Sequence, residues 1–163
     1  MINILTEDKI SNQKKSKSGN DFNKEVNTIL SDYIDRGVIL NYCSEPRLTI
    51  PGYSYEQFRP DFKIETNNNT IIFIDNTKTV RGDRVKQKQW DAMGVKLSFP
   101  NTDSNVLYFV VVPPKSRIGH DDTREKEINN VLHERTKIKS PSYFSKIDDI
   151  LFLDEFLAVI KSI

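Results

Sequence analysis

The chain reads as an α/β protein, and three stretches carry that reading. Phe22, Val26, Ile29, Leu30, Tyr33 and Ile34 recur at helical spacing, with Asn20 or Asp21 placed to cap the start and Gly37 to end the helix. Thr70-Ile71-Ile72-Phe73-Ile74 is an unbroken apolar, largely β-branched run, the pattern of a strand covered on both faces. Asn105 to Val112 is a second such run, stopped by Pro113-Pro114.

The other elements fall between and after these. Val38 to Cys43 predicts a strand, and Arg47 to Ile50 a shorter extended piece before Pro51-Gly52. Tyr53, Tyr55 and Phe58 follow in a loop-rich stretch, where aromatic rings either pack the edge of a core or stand ready to stack on bases. Asp83 is placed to cap a helix from Arg84 to about Met93, with Val85, Trp90, Ala92 and Met93 as its buried side and Gly94 as its end. Thr123 caps a helix to about Glu134 whose apolar side is Ile128, Val131 and Leu132. Ile147 to Phe152 predicts a short strand, and Asp154 to Ile160 a closing helix that could equally serve a dimer contact.

Arg59 to Ile64 alternates polar and apolar residues with a period of two, and Glu65-Thr66-Asn67-Asn68-Asn69 is a turn cluster leading back into the Thr70 strand. The register of this hairpin decides which side chains meet. If Asn68 and Asn69 are the two turn residues, Asp61 falls opposite Asn76, and Asp61, Asn76 and Lys78 project together, about 5 Å from strand to strand. A three-residue turn pairs Asp61 with Asp75 instead and puts Thr77 where Lys78 would be. The first register is preferred because it brings a lysine to the oxygen ligands. A strand this apolar would be expected to end in water or in more apolar residues, yet it ends Asp75-Asn76-Thr77-Lys78.

Pro60-Asp61, fourteen residues, then Asn76-Thr77-Lys78 resembles the signature of the PD-(D/E)xK nucleases, the superfamily of most type II restriction enzymes. The chain departs from the usual pattern at Asn76, where the family has Asp or Glu; Asn-x-Lys occurs in a few of its restriction enzymes. The resemblance covers roughly residues 20–112, and the order helix, strand, strand, strand, helix, strand agrees with it. It implies a restriction-endonuclease-like core, a mixed central sheet flanked by helices, within a single nuclease domain of residues 1–163. Residues 1–18 would be a flexible arm and 113–163 a C-terminal extension.

The resemblance implies catalytic roles for Asp61, Asn76 and Lys78. Mg²⁺ would be held by Asp61, Asn76 and a main-chain carbonyl near Thr77, with Asp75 making up for the missing charge directly or through water. Lys78 would position or help deprotonate the attacking water. The superfamily often carries an accessory glutamate on its first helix, so Glu25 either approaches the metal or is a solvated helix charge. Arg81, Arg84, Lys86 and Lys88 begin immediately after this strand, where a bound phosphodiester backbone would run. Lys14, Lys15 and Lys17 read as a loose lead-in or as an arm on phosphates. Lys115, Arg117 and the Tyr53-Tyr55 loop are the candidates for reading bases. His120 reads as an exposed loop residue, and His133 has no metal-spaced partner.

Composition limits the alternatives. A length of 163 residues suits one domain with its own core, at 37% hydrophobic and 29% charged content. A formal charge of +1 argues against a protein that coats DNA generically, while a sequence-specific nuclease needs cations only along one cleft. One cysteine, Cys43, excludes internal disulfides and cysteine-based zinc. No apolar segment approaches the roughly 18 residues of a membrane span, and Met1 is not followed by a signal peptide, so the simplest location is cytoplasmic. There is no P-loop, no GxGxxG and no nucleotide cofactor to expect. The leading expectation is a Mg²⁺-dependent type II endonuclease on double-stranded DNA, acting as a homodimer because one site per chain must cut two strands. Two others stand beside it: a repair, junction-resolving or nicking nuclease (or a heterodimer subunit) of the same fold, and a catalytically silent DNA-binding module.

Overall fold

The computed structural model describes residues 21–48, 58–99 and 105–163. Helix α1 covers residues 21–35, followed by strands β1 (Asn41–Ser44), β2 (Phe62–Glu65) and β3 (Thr70–Asn76). Helix α2 (Gly82–Leu97), strand β4 (Asn105–Val112), helix α3 (Arg124–Ile138), strand β5 (Asp149–Phe152) and helix α4 (Leu153–Ser162) complete the order. The five strands form one mixed sheet in the order β1-β2-β3-β4-β5: the first two pairings are antiparallel, the last two parallel.

Each sheet face carries its own core. Phe73 of β3 and Tyr108, Val110 and Val112 of β4 pack with Val85, Ala92 and Val95 of α2 and Val131 and Ile138 of α3. On the opposite face, Ile72 and Ile74 of β3 meet Phe22, Val26, Leu30 and Tyr33 of α1 and Phe156 and Ile160 of α4. The uninterrupted apolar run of β3 is therefore explained, since both of its faces are covered. α4 uses its apolar stripe within the chain, so the stripe is no free dimer surface. Residues 113–163, expected as an extension, supply the fifth strand of the same sheet. Arg135 of α3 covers that strand's outer edge: its Nε–H donates to the Ile150 carbonyl (2.7 Å) and its guanidinium pairs with Glu155 (2.6 Å). Among the described residues no helix is long and apolar enough to cross a membrane.

Several boundaries differ from expectation, each for a local reason. Gly37 does end α1, at φ +72°, with its N–H on the Ile34 carbonyl (3.0 Å) and the Val38 N–H on the Tyr33 carbonyl (2.8 Å). That cap uses Val38 and Ile39, so β1 begins only at Asn41. Of the extended piece before Pro51, only Arg47 and Leu48 are described, with Leu48 bridging Phe58; Tyr53, Tyr55, residues 1–18 and Asn20 lie outside the described residues. Phe58 itself is buried in the core.

Gly94 does not end α2. It lies inside the helix because the Phe58 ring sits on its backbone: a Cβ there would come within 2.0 Å of the ring. The N-cap is Arg81 rather than Asp83, and no side chain caps it. Trp90 is not on the buried side; it is 62% exposed. Thr123 does precede α3, but its hydroxyl accepts the His120 N–H (2.9 Å) instead of capping, and the helix runs on to Ile138.

The hairpin register is the main correction. Phe62 pairs with Ile74 and Glu65 with Ile71, so the turn has three residues, Asn67, Asn68 and Asn69, not two. Asn69 takes φ +67°, the left-handed residue that closes a three-residue hairpin loop. Thr66 and Thr70 lock the turn: the Thr66 N–H donates to the Thr70 carbonyl (3.0 Å), and the Thr66 hydroxyl accepts the Thr70 N–H (3.0 Å). A one-residue slip moves every side chain to the other face. The preferred pairing of Asp61 with Asn76 is overturned: the ladder ends at Phe62 opposite Ile74, and the Asp61 N–H turns to that same Ile74 carbonyl (3.0 Å).

Candidate active site

Asp61 lies one residue before β2, and its N–H donates to the carbonyl of Ile74 (3.0 Å), the residue already paired with Phe62, so the ladder is out of register by one there. Asp75 is the last but one residue of β3. Asp75 projects to the α2 face, the side on which Phe73 and Tyr108 are packed, while Asp61, at the sheet end, interacts both with Asp75 and with Asn23 of α1. Here the sheet delivers two carboxylates to one spot at the C-terminal end of β3.

Asp75 is almost wholly buried, at 4% exposure, and a buried carboxylate needs partners. It has two. The Tyr108 hydroxyl, from β4, donates to Asp75 Oδ2. Lys88, from the second turn of α2, brings its Nζ to 3.1 Å from the same oxygen. The phenol of Tyr108 is held far above its usual range, first by burial and then by the Asp75 charge it faces. Asp91, one turn along α2 from Lys88, has a raised carboxyl, chiefly from burial, with Lys88 opposing and Asp75 adding to the rise.

Asp61 responds to this neighbour. Burial, then the Asp75 charge, push its carboxyl from an ordinary 3.8 up to about 6. The Asn76 N–H, which donates to Asp61 Oδ2 at 2.7 Å, works against the rise, as do the Lys88 charge and a hydrogen bond with the Asn23 side chain. Two interacting carboxylates, one of them paired with the Lys88 ammonium, thus meet at the end of β3.

Asn76 is divided between the faces. Its backbone serves Asp61, while its side chain goes to the α1 side, where Nδ2 donates to Asn23 Oδ1 (2.8 Å). Its Oδ1 is buried with no hydrogen-bond partner. Thr77 directs its hydroxyl to the Thr79 carbonyl (2.9 Å) and its N–H to the Val111 carbonyl (2.9 Å). Lys78 is exposed and two residues beyond the end of β3, where strand alternation no longer assigns it a face. The expected trio on one face is replaced by Asp61, Asp75 and Lys88.

The remaining expected residues are spread around this centre. Glu25 of α1 takes a bidentate pair from Arg117, at 2.7 and 2.9 Å, and that pairing raises the guanidinium pKa further. Arg81 is exposed, 3.7 Å from Asp83. Arg84 and Lys86 are exposed, and Arg84 shares with Lys88, Thr77 and Thr79 the lining of a shallow hollow beside the carboxylates. Lys88 is turned inward to Asp75 instead of joining a surface row. His120 is exposed, as expected.

Sequence reasoning missed Tyr108, Asn23 and Asp91. Tyr108 had a signal: a hydroxyl in the middle of a buried aliphatic strand needs a polar partner across the sheet. Asn23 had none beyond its place on the first helix. Asp91 had one, since three residues after Lys88 it lies on the same helical face.

Among the described residues no group of three or more His, Cys, Asp or Glu gathers in the geometry of a metal cage. The donors that would meet a hard cation keeping much of its own water are the Asp61 and Asp75 carboxylates, the first with its pKa raised by burial and then by the charge of the second; the orphaned amide oxygen of Asn76 belongs to a side chain turned toward α1. No family model matches this chain, and neither the curated proteins nor the solved structures give a match.

Proposed function

We propose that this chain is a Mg²⁺-dependent deoxyribonuclease with a restriction-endonuclease-like core, cutting double-stranded DNA at a specific short sequence as a type II restriction enzyme does. The observation that carries the reading is that Asp61, just before β2, and Asp75, near the end of β3, lie close enough to interact, with the Lys88 ammonium 3.1 Å from Asp75. The order of the elements around the mixed sheet supports it. In this reading the motif is completed in space by Asp75 and by a lysine from α2, where the sequence pattern pointed to Asn76 and Lys78.

The roles follow from the chemistry of phosphodiester hydrolysis. Asp61 and Asp75 would hold Mg²⁺. The ion would polarise a phosphoryl oxygen and lower the pKa of a bound water. Tyr108 and the Asn76 N–H fix the two carboxylates from behind, so that neither has to reorient when charge develops. Lys88 offers its ammonium to the attacking water or the scissile phosphate. Arg84, Arg81 and Lys86, on and before the same helix, meet neighbouring phosphates and place the duplex without reading its sequence. A second copy of the chain supplies the cut on the other strand.

Plasmid cleavage with Mg²⁺, and with EDTA as the control, tests this directly. Asp61→Asn, Asp75→Asn and Lys88→Gln should each abolish cutting, while Lys78→Gln should leave most of it. Cleavage at the wild-type rate by Asp61→Asn or Asp75→Asn would end the proposal. A discrete fragment pattern marks a restriction enzyme; nicking or fragments without fixed ends mark a repair or junction nuclease. One observation favours the silent DNA-binding module: Asp75 is already satisfied by Lys88 and Tyr108 without any ion. Binding of DNA with no cutting under any divalent ion would establish that reading.

A further inference from the structure

We propose that Lys88 is the resident counter-ion of the carboxylate pair, and that it changes places with a divalent cation, leaving Asp75 for an anionic phosphate as the cation enters. The inference rests on the reading of the site given above. It assigns to Lys88 a control of ion loading that is separate from any part in the chemistry.

The argument starts from charge. Asp75 is buried and Asp61 lies close enough to interact with it, so the empty site would carry two negative charges in a place poor in water. Lys88 forms an ion pair with Asp75 at 3.1 Å. Facing it are Asp61 from the end of β2, Asp75 from β3, Tyr108 from β4 and Asp91 from its own helix. One ammonium thus stabilises a pair that would otherwise repel. The same ammonium would lie a few ångströms from any divalent ion bound there, and like charges repel.

The geometry also lets Lys88 leave. Its side chain keeps 28% exposure, whereas Asp75 keeps 6%. A lysine stem can swing its head group without disturbing the helix that carries it. Arg84, one turn earlier, lines with it a water-sized hollow beside Thr77 and Thr79, so the released ammonium has a cationic neighbour, and a phosphate would meet the two cations outside that hollow. Cation and phosphate then assist one another: the ion drives the ammonium toward the anion, and the anion draws it off Asp75. Such coupling is reciprocal by linkage.

The test is calorimetric titration of Mn²⁺ into the DNA-free protein. Lys88→Gln should bind Mn²⁺ tighter than the wild type by about tenfold, the scale set by removing one positive charge at a few ångströms. Lys88→Arg, which keeps the charge, should show no gain. In plasmid assays Lys88→Gln should nevertheless lose cutting, so affinity and activity move in opposite directions, which loss of a merely structural lysine would not produce. Should Lys88→Gln fail to fold by circular dichroism, Lys88→Met, with an uncharged stem, is titrated in its place. A charge-removing variant that binds Mn²⁺ no tighter than the wild type overturns the exchange. Asp61→Asn separates the two levels: if it binds Mn²⁺ as the wild type does, the site itself is misread. If it loses binding while Lys88→Gln gains none, only the exchange fails.

Discussion

Asp61→Asn should make this protein more stable at neutral pH while removing its proposed activity. The native state holds the Asp61 carboxyl at about 6, above its ordinary 3.8. Between pH 4 and 6 the folded chain therefore binds a proton that the unfolded chain has already released, and stability falls as pH rises through that window. Above pH 6 the ionised Asp61 carboxylate bears the cost of its burial and then of the neighbouring Asp75 charge. The gap from 3.8 to about 6, at ~1.36 kcal/mol per pH unit, makes this a penalty on the order of 3 kcal/mol. The favourable contacts with the Asn76 N–H and Lys88 are already netted into that gap. An asparagine has the same shape and keeps an oxygen to accept the Asn76 N–H. The variant should gain on the order of 3 kcal/mol at pH 7.5 and almost nothing near pH 4. Urea unfolding of both proteins in EDTA, at the two pH values, measures it. Asp91 contributes a slope of the same sign to both proteins, so the difference between them is the quantity to read. Adding Mg²⁺ should narrow the gap at pH 7.5 by stabilising the wild type alone. A variant no more stable than the wild type at pH 7.5, or equally favoured at both pH values, would refute the account of two interacting carboxylates.

Three further outcomes follow from the packing. Gly94→Ala places a methyl inside the Phe58 ring and should destabilise by about 3 kcal/mol or more; Gly94→Ala with Phe58→Leu should recover part of the loss in the same urea titration. Tyr108→Phe removes the hydroxyl that Asp75 accepts and should cost about 1–3 kcal/mol; chemical denaturation that finds no loss would mean the hydroxyl does not hold the carboxylate. Asn69→Val forces a β-branched residue to φ +67° and should cost about 1–3 kcal/mol, while Asn69→Gly should be close to neutral, as thermal melting will show.

The α/β class, the first helix with its Gly37 cap, the doubly covered β3 and the extent of β4 were all legible in the amino-acid order. Each depends on periodicity within one element, or on one residue's freedom to take a positive φ. That Asp61 lies near the end of β3 was legible too, because a hairpin brings its two arms together whatever its register. Which register the hairpin takes was not. Three consecutive asparagines all tolerate the turn conformation, so the length of the turn is invisible in the sequence, and one residue of slip reverses the faces. Folding settled the matter through the Thr66–Thr70 pairing, which closes a loop of three.

The cation at the site shows the same division. Lys78 stands where a linear motif puts it, but the strand has ended by then. Lys88 arrives from a different element because α2 crosses the sheet face that carries Asp75, a contact no spacing along the chain encodes. Gly94 looked like a helix end for a similar reason: its lack of a side chain serves Phe58, thirty-six residues earlier, rather than its own backbone. The order of residues determined which elements form and which of their faces are apolar. Only the tertiary structure decided which polar side chains meet, since those meetings depend on turn length and helix placement, to which a one-dimensional pattern is blind.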